Sequence, residues 1–329
     1  MPLGNGIRRN VSTISAREKQ RLRDAIIRLN HQFYPGNRDD AVVGGVSYWF
    51  KQDEIHQATH VHHGPAFLPW HRELCNRFQV LLREIDPQLS LHYWDWNTDP
   101  IDLFKPDFMG AAEPWNNGES VDAGEPWLSA GFYDPNADPY RGEDPFDLSH
   151  TNPFDPPKSL LRNKDPGPPP SVFKDRFYTD EQIIDAKDFH EMRIKLEGNH
   201  DRAHGYIGGS IGDPHTSFRD PFVFLLHSNV DRLFALWQRQ PGHEERLQPE
   251  RVYGTESNSL TTGTFPEVHV GILTPLEPWA GADAAGAEES IVETRPWASP
   301  ENEHLLKNNV KNSKDPTIVN PHSYDTDKE

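Results

Sequence analysis

The sequence predicts a helical scaffold carrying long ordered loops. Two observations predict it. Apolar residues recur at helical spacing in several separate windows, as in Leu22, Ala25, Ile26 and Leu29. Between those windows, residues 97–170 are dense in Pro, Asp, Asn and Gly, with Pro-Gly-Pro-Pro-Pro at 166–170. Trp115, Trp127, Phe132, Tyr133 and Phe146 recur through that stretch, a density that a disordered linker lacks.

The elements follow in order. A first helix is expected at about 16–30, opened by a capping-box pattern in Ser15 and Glu18. A second at about 46–60 carries His56. A third begins near Leu68 or Pro69, where proline suits a first turn. It turns His71, Leu74, Phe78, Leu81, Leu82 and Ile85 inward and stops before Pro87. A short helix is expected at about 181–194, and a separate one then holds His200 and His204. Gly205, Gly208, Gly209 and Gly212 follow that helix instead of opening one, which argues against a phosphate loop. The last main helix is expected at about 221–238. Residues 240–329 read as polar and loop-like, with the last twenty expected to be mobile. Phe67-Leu68-Pro69-Trp70-His71 and Phe224-Leu225-Leu226-His227 echo one another, each placing a histidine early in an amphipathic helix.

The 329 residues suffice for a sizeable core, in one large domain or two. A net charge of −18 argues against nucleic acid and anionic membranes as partners, since phosphate binding needs a surplus of Lys and Arg. No run of about 18 apolar residues suggests a membrane span. The single cysteine, Cys75, reads as a core thiol and allows no intrachain disulfide. Residues 1–15 have Arg8 and Arg9 but no apolar stretch after them, so a cytoplasmic location is expected. Export with a carrier partner stays open.

The histidines carry the chemistry. Five of the 17 fall within residues 56–71: His56, His60, His62, His63 and His71. A second group comprises His200, His204 and His227. His200 and His204 are four apart, so on a helix both rings reach one ion. A third ligand must come from another element, and His227 is the candidate. In the first group five imidazoles cannot all bind one ion. His56, His62 and His71 are the leading set, with His60 in reserve and His63 turned away. No carboxylate sits at the spacing of di-iron bundles. All-imidazole ligation suits copper or zinc, and copper stands highest in affinity order. Two coppers that face each other with open positions can bind dioxygen between them, each giving one electron.

At this point the sequence resembles the type-3 copper family of tyrosinases, catechol oxidases and copper oxygen carriers. The segment from His62 to His71-Arg72, with Phe67-Leu68-Pro69-Trp70 inside it, resembles the first copper motif. Tyr93-Trp94-Asp95-Trp96 resembles the aromatic segment that follows. His200, His204, Asp220-Pro221 and His227-Ser228-Asn229-Val230-Asp231-Arg232-Leu233 resemble the second. The match covers roughly 45–240. It implies a mainly α fold, with a four-helix-bundle core around a dicopper centre, in one domain over 1–329. The core would span about 15–240, with a loop-rich extension at 241–329. By the resemblance one copper ion takes His56, His62 and His71 and the other takes His200, His204 and His227. The implied partners are phenols and dioxygen, and a requirement for a copper-delivery partner stays open.

There are departures. Where relatives often have a cysteine linked to the second ligand, this chain has His60. Where many have a His-His pair, Leu226 precedes His227. Where many have Asn after the first ligand of the second copper, this chain has Asp201. In the family that Asn and an upstream Glu are proposed to hold a water that deprotonates phenols; Glu197 is the nearest match and Glu191 the next. A carboxylate at Asp201 would accept the proton directly. Asp231, four residues after His227, and Arg72 are candidates to support the ligand histidines, and for Asp231 a salt bridge with an Arg is at least as expected as a histidine contact. The resemblance thus implies a copper oxidase that turns o-diphenols into o-quinones and hydroxylates monophenols. An o-aminophenol oxidase, an oxygen-binding protein without turnover and a dizinc hydrolase are the alternatives. The short stretch after 240 suggests an accessible site, with a tail that packs on the core.

Overall fold

The computed structural model describes residues 4–32, 47–59, 62, 67–112, 121–124, 127, 160–163, 169, 177–214, 216–247 and 322–327. Helices dominate them. α1 (Ala16–Leu29) is capped by Ser15, whose side chain accepts the Glu18 N–H, while the Glu18 carboxylate lies 3.1 Å from His92 Nε2. Leu22, Ala25, Ile26 and Leu29 are buried as their spacing demands, and α1 packs on α3 (Phe67–Ile85). α2 (Tyr48–Thr59) opens at Ser47, whose hydroxyl accepts the Phe50 N–H at 3.0 Å.

One helix boundary differs from expectation. The segment expected as a helix over 181–194 is split into α4 (Asp180–Ile184) and the start of α5 (Phe189–Ile207). The break falls at 185–188, and α5 runs unbroken through His200 and His204. Asp188 causes it: its side chain accepts the Glu191 N–H at 2.9 Å, and the Glu191 carboxylate accepts the Lys187 N–H at 3.0 Å. α5 ends at Gly208 and Gly209, with φ of 62° and 59°. A Cβ on Gly209 would lie 2.1 Å from the Leu161 carbonyl oxygen. The glycines therefore let the chain pass against β2 (Leu161–Arg162), which pairs antiparallel with β1 (Val121–Asp122).

α6 (Phe222–Gln238) is buried along nearly its whole length and packs against α3, α4 and α5. α2, α3, α5 and α6 form the four-helix core, and Phe78 of α3 stacks on Phe224 of α6. Within the expected loop region, Arg162 is fully buried and ties the loops to the start of α6. It donates to both Asp220 oxygens at 2.6 and 2.8 Å and to the carbonyls of Met109 and Ala111. Trp127 is buried, whereas Trp115, Phe132, Tyr133 and Phe146 lie outside the described residues. Cys75 is a buried free thiol, as expected.

The expectation of a mobile last twenty residues is corrected at 322–327. These residues dock beside the N-terminal segment, where Arg8 N–H donates to Ser323 O and Asp325 N–H donates to Arg8 O, both at 3.0 Å. Tyr324 is buried, and its hydroxyl donates to Asp231 at 2.8 Å. Burying these polar groups is tolerated because each finds a partner. Residues 248–321 lie outside the described set. No helix among the described residues is long and apolar enough to cross a membrane.

Candidate metal centre

The bundle gathers six histidines from four helices and one connecting residue. α2 supplies His56, the α2–α3 connection His62, α3 His71, α5 His200 and His204, and α6 His227. They form two triads, His56–His62–His71 and His200–His204–His227, each able to point one nitrogen per ring into a common space with all three within 4.8 Å of one another. The triads face each other. His71 stacks on His227 with ring centroids 4.6 Å apart and planes 10° apart, and His62 lies 6.1 Å from His200. His60 and His63 lie outside the described residues.

Hydrogen bonds fix which nitrogen points inward. A backbone carbonyl can only accept, so His71 Nδ1–H donates to Phe67 O at 2.8 Å and His204 Nδ1–H donates to Ile211 O at 2.7 Å. His200 Nδ1–H donates to the Asp201 carboxylate at 2.9 Å. In each neutral ring Nε2 is left with a lone pair only. His200 Nε2 and His204 Nε2 then lie 3.3 and 3.2 Å from His227 Nε2. His227 has a single proton to give at that atom, so it cannot satisfy both. His71 Nε2 is likewise buried with no hydrogen-bond partner among the described residues. A cation among the nitrogens resolves both conflicts, so the donor set fits a metal in each triad.

Burial reinforces this. Desolvation, then the neighbouring imidazoles, holds the His71 and His227 pKa values well below the usual histidine range. Burial lowers that of His204 too. For His71 the imidazole that adds most to burial is His200, across the gap between the triads. All three rings are therefore neutral near pH 7, the state in which imidazole ligates.

The other expected residues are placed as follows. Asp201 is 51% exposed and accepts from His200. Glu197 is buried one turn before His200, with its carboxylate 2.7 Å from Arg193. Glu191 is not at the site: it sits in the first turn of α5, paired with Lys195 at 2.8 Å. Asp231 pairs with Arg8 at 3.1 Å and with Arg72, so of its two expected roles the ion pair is the one observed. Two residues at the site went unread in the sequence. The Phe218 ring lies 4.3 Å from that of His56 and 5.0 Å from that of His227, and Asp53 accepts the Phe218 N–H at 3.1 Å. Asp53 precedes His56 by three residues on α2, a spacing that could have drawn attention to it.

Comparison with known proteins agrees with this geometry. The family model for the common central domain of tyrosinase matches residues 44–240, a span that holds all six histidines. A tyrosinase of Streptomyces antibioticus is 28% identical over 291 residues, covering 83% of this chain and 92% of the relative. Among solved structures, a polyphenol oxidase from Thermothelomyces thermophila has a TM-score of 0.54 at 22% identity, over 73% of this chain and 74% of that one. Deoxygenated hemocyanin from Rapana thomasiana has a TM-score of 0.51 at 20% identity, over 98% of this chain and 70% of that one. At those identities the structures show a shared fold. The cofactor is a pair of copper ions, and two facing triads of histidine in a four-helix core are what such a pair requires. The chain belongs to the tyrosinase family of type-3 copper proteins.

Proposed function

We propose that this protein is a dicopper oxidase that uses dioxygen to convert o-diphenols to o-quinones and also hydroxylates monophenols. The observation that carries the reading is Asp201, a half-exposed carboxylate 2.9 Å from a ring of the second triad. The fold alone does not decide between enzyme and oxygen carrier, since it is shared with both a polyphenol oxidase and a hemocyanin. A carrier needs no proton acceptor beside its metal ions. An enzyme acting on phenols does, because a phenol has a pKa of about 10 and reacts as phenolate.

When present, the copper pair would bind and activate dioxygen, which is the oxidant and takes up the electrons removed from the phenol. The protein supplies the rest. Asp201, which accepts from His200 Nδ1 and is half-exposed, is assigned the role of accepting the phenol proton. Glu197, held by Arg193 one turn earlier on α5, is the second carboxylate of this region and is assigned to assist that proton transfer. His62 and His204, one ring in each triad, are only part-buried, which supports access for a small phenol. The tyrosinase named above supports the same substrate class.

The test is oxygen uptake by the copper-loaded protein with catechol, tyramine and o-aminophenol in turn. Turnover of catechol and tyramine is expected. Oxygen binding without turnover of any of the three would replace the oxidase with a carrier, and o-aminophenol turnover alone would make it an o-aminophenol oxidase. In Asp201→Ala, monophenol turnover is expected to fall by about tenfold or more, and diphenol turnover by much less. Equal losses would remove Asp201 from the role of base.

A further inference from the structure

The loop from α5 to α6 does more than connect them. Its 3-10 turn, Ser217–Arg219, has no side-chain cap at its first position. Asp53 of α2 takes over that function. It is 1% exposed, accepts the Phe218 N–H through Oδ1 at 3.1 Å, and pairs through Oδ2 with Arg219 Nε at 3.0 Å. One buried carboxylate therefore holds both the backbone and the side chain of the turn against α2.

The consequence falls on Phe218. Its side chain is fully buried, and its ring lies against rings of both triads. It is 4.3 Å from His56 at 34° and 5.0 Å from His227 at 40°, with Phe224 closing its edge at 5.1 Å and 81°. The ring thus touches one ligand of each copper. A flat ring packed on an imidazole restricts rotation of that imidazole, and a ligand's direction sets where its nitrogen points. Asp53 is on the same helix as His56, so the clamp and the ligand move together.

We propose that Asp53 and Phe218 are positioning residues of the dicopper centre: Asp53 pins the turn, and Phe218 sets the His56 and His227 rings and so the relative placement of the two metal sites. Neither residue ligates copper. The inference rests on the copper pair alone, and holds equally for an oxidase or a carrier.

The test uses the full chain loaded with copper, as wild type, Phe218→Leu and Asp53→Ala. Phe218→Leu keeps an apolar side chain while removing the ring, so it carries the test even if Asp53→Ala does not fold. Three readouts are compared: the chelator concentration that removes half the copper, the electron paramagnetic resonance signal per bound copper(II), and the far-ultraviolet circular dichroism. Two correctly spaced copper(II) ions couple and give little resonance signal. The expected result for Phe218→Leu is unchanged helix content, copper lost at about tenfold lower chelator concentration, and a raised signal per copper. Unchanged chelator resistance and unchanged signal would overturn the proposal. So would a loss of copper in proportion to a loss of helix, which would make Phe218 a packing residue only.

Discussion

At the residue scale, the metal centre is made specific by acceptors that the ligands do not share. The carbonyls of Phe67 and Ile211 each hold one Nδ1–H, and so turn the lone pair of Nε2 inward on His71 and His204. Each triad is complete only with three nitrogens. His204→Ala is accordingly expected to lower bound copper from two per chain to about one, measured by metal analysis after dialysis. Two coppers retained would mean that another residue completes the second site. Part of the histidine set was legible in the sequence because its spacing is local: His204 follows His200 by four positions and His71 stands just inside a helix start, whereas His227 could only be named as a candidate from another element. The acceptor of His204 was not legible. Ile211 belongs to a loop whose path no periodicity encodes, and Asp53 meets Phe218 only because the chain returns after 165 residues.

At the scale of elements, caps and glycines set where α5 begins and ends, and so which way its two histidines face. The apolar pattern placed α1, α3 and α6 well, because each buries one continuous stripe. It placed the start of α5 badly. Residues 181–194 have enough apolar character to suggest one helix, and the side chains of Asp188 and Glu191 cap the break within it. Asp188→Ala is expected to cost about 1 kcal/mol, seen as a lower denaturation midpoint with normal copper content. Gly209→Ala is expected to cost more, about 2 kcal/mol or above. That residue has positive φ, and its Cβ would meet the Leu161 carbonyl at 2.1 Å. A Gly209→Ala protein as stable as wild type would mean that α5 does not end against β2 in solution.

At the scale of the whole molecule, a buried network joins the N-terminal segment, α3, α6 and residues 322–327. Asp231 is its hub, bound by Arg8, Arg72 and Tyr324. Burial alone would raise the Asp231 pKa, but Arg72, His322 and Arg8 hold it down at about 2. Its contribution to stability is therefore present above its ordinary value of 3.8 and is lost as pH falls toward about 2. His322 works over a higher range. Burial, then the charge of Arg8, lowers its pKa from 6.5 to about 3, so the folded state resists a proton that the unfolded chain accepts. That contribution is complete above pH 6.5 and declines as pH falls toward about 3. The thermal midpoint is expected to fall as pH drops from 6.5 toward about 3, and less steeply in His322→Gln; parallel curves for the two proteins would refute the assignment. Tyr324→Phe is expected to cost about 1–3 kcal/mol in chemical denaturation, because it removes the hydroxyl between Arg8 and Asp231. An Asp231–Arg pair and a tail packed on the core were legible in the sequence, but the contacts that join them were not. A polar tail reads as loose when its partners lie hundreds of positions away, as Arg8 does from Tyr324 at a separation of 316.

The same network orders events in time. Tyr324 follows Asp231 by 93 residues. At a synthesis rate of about 5–20 residues per second, the last bundle helix leaves the ribosome roughly 5–20 seconds before the hydroxyl that completes its buried charge cluster. During that interval Arg8, Arg72 and Asp231 have each other but not the cover of the returning segment. Vectorial synthesis thus leaves a window in which α3 and α6, the helices that carry His71 and His227, are joined through Arg72 and Asp231 without that hydroxyl.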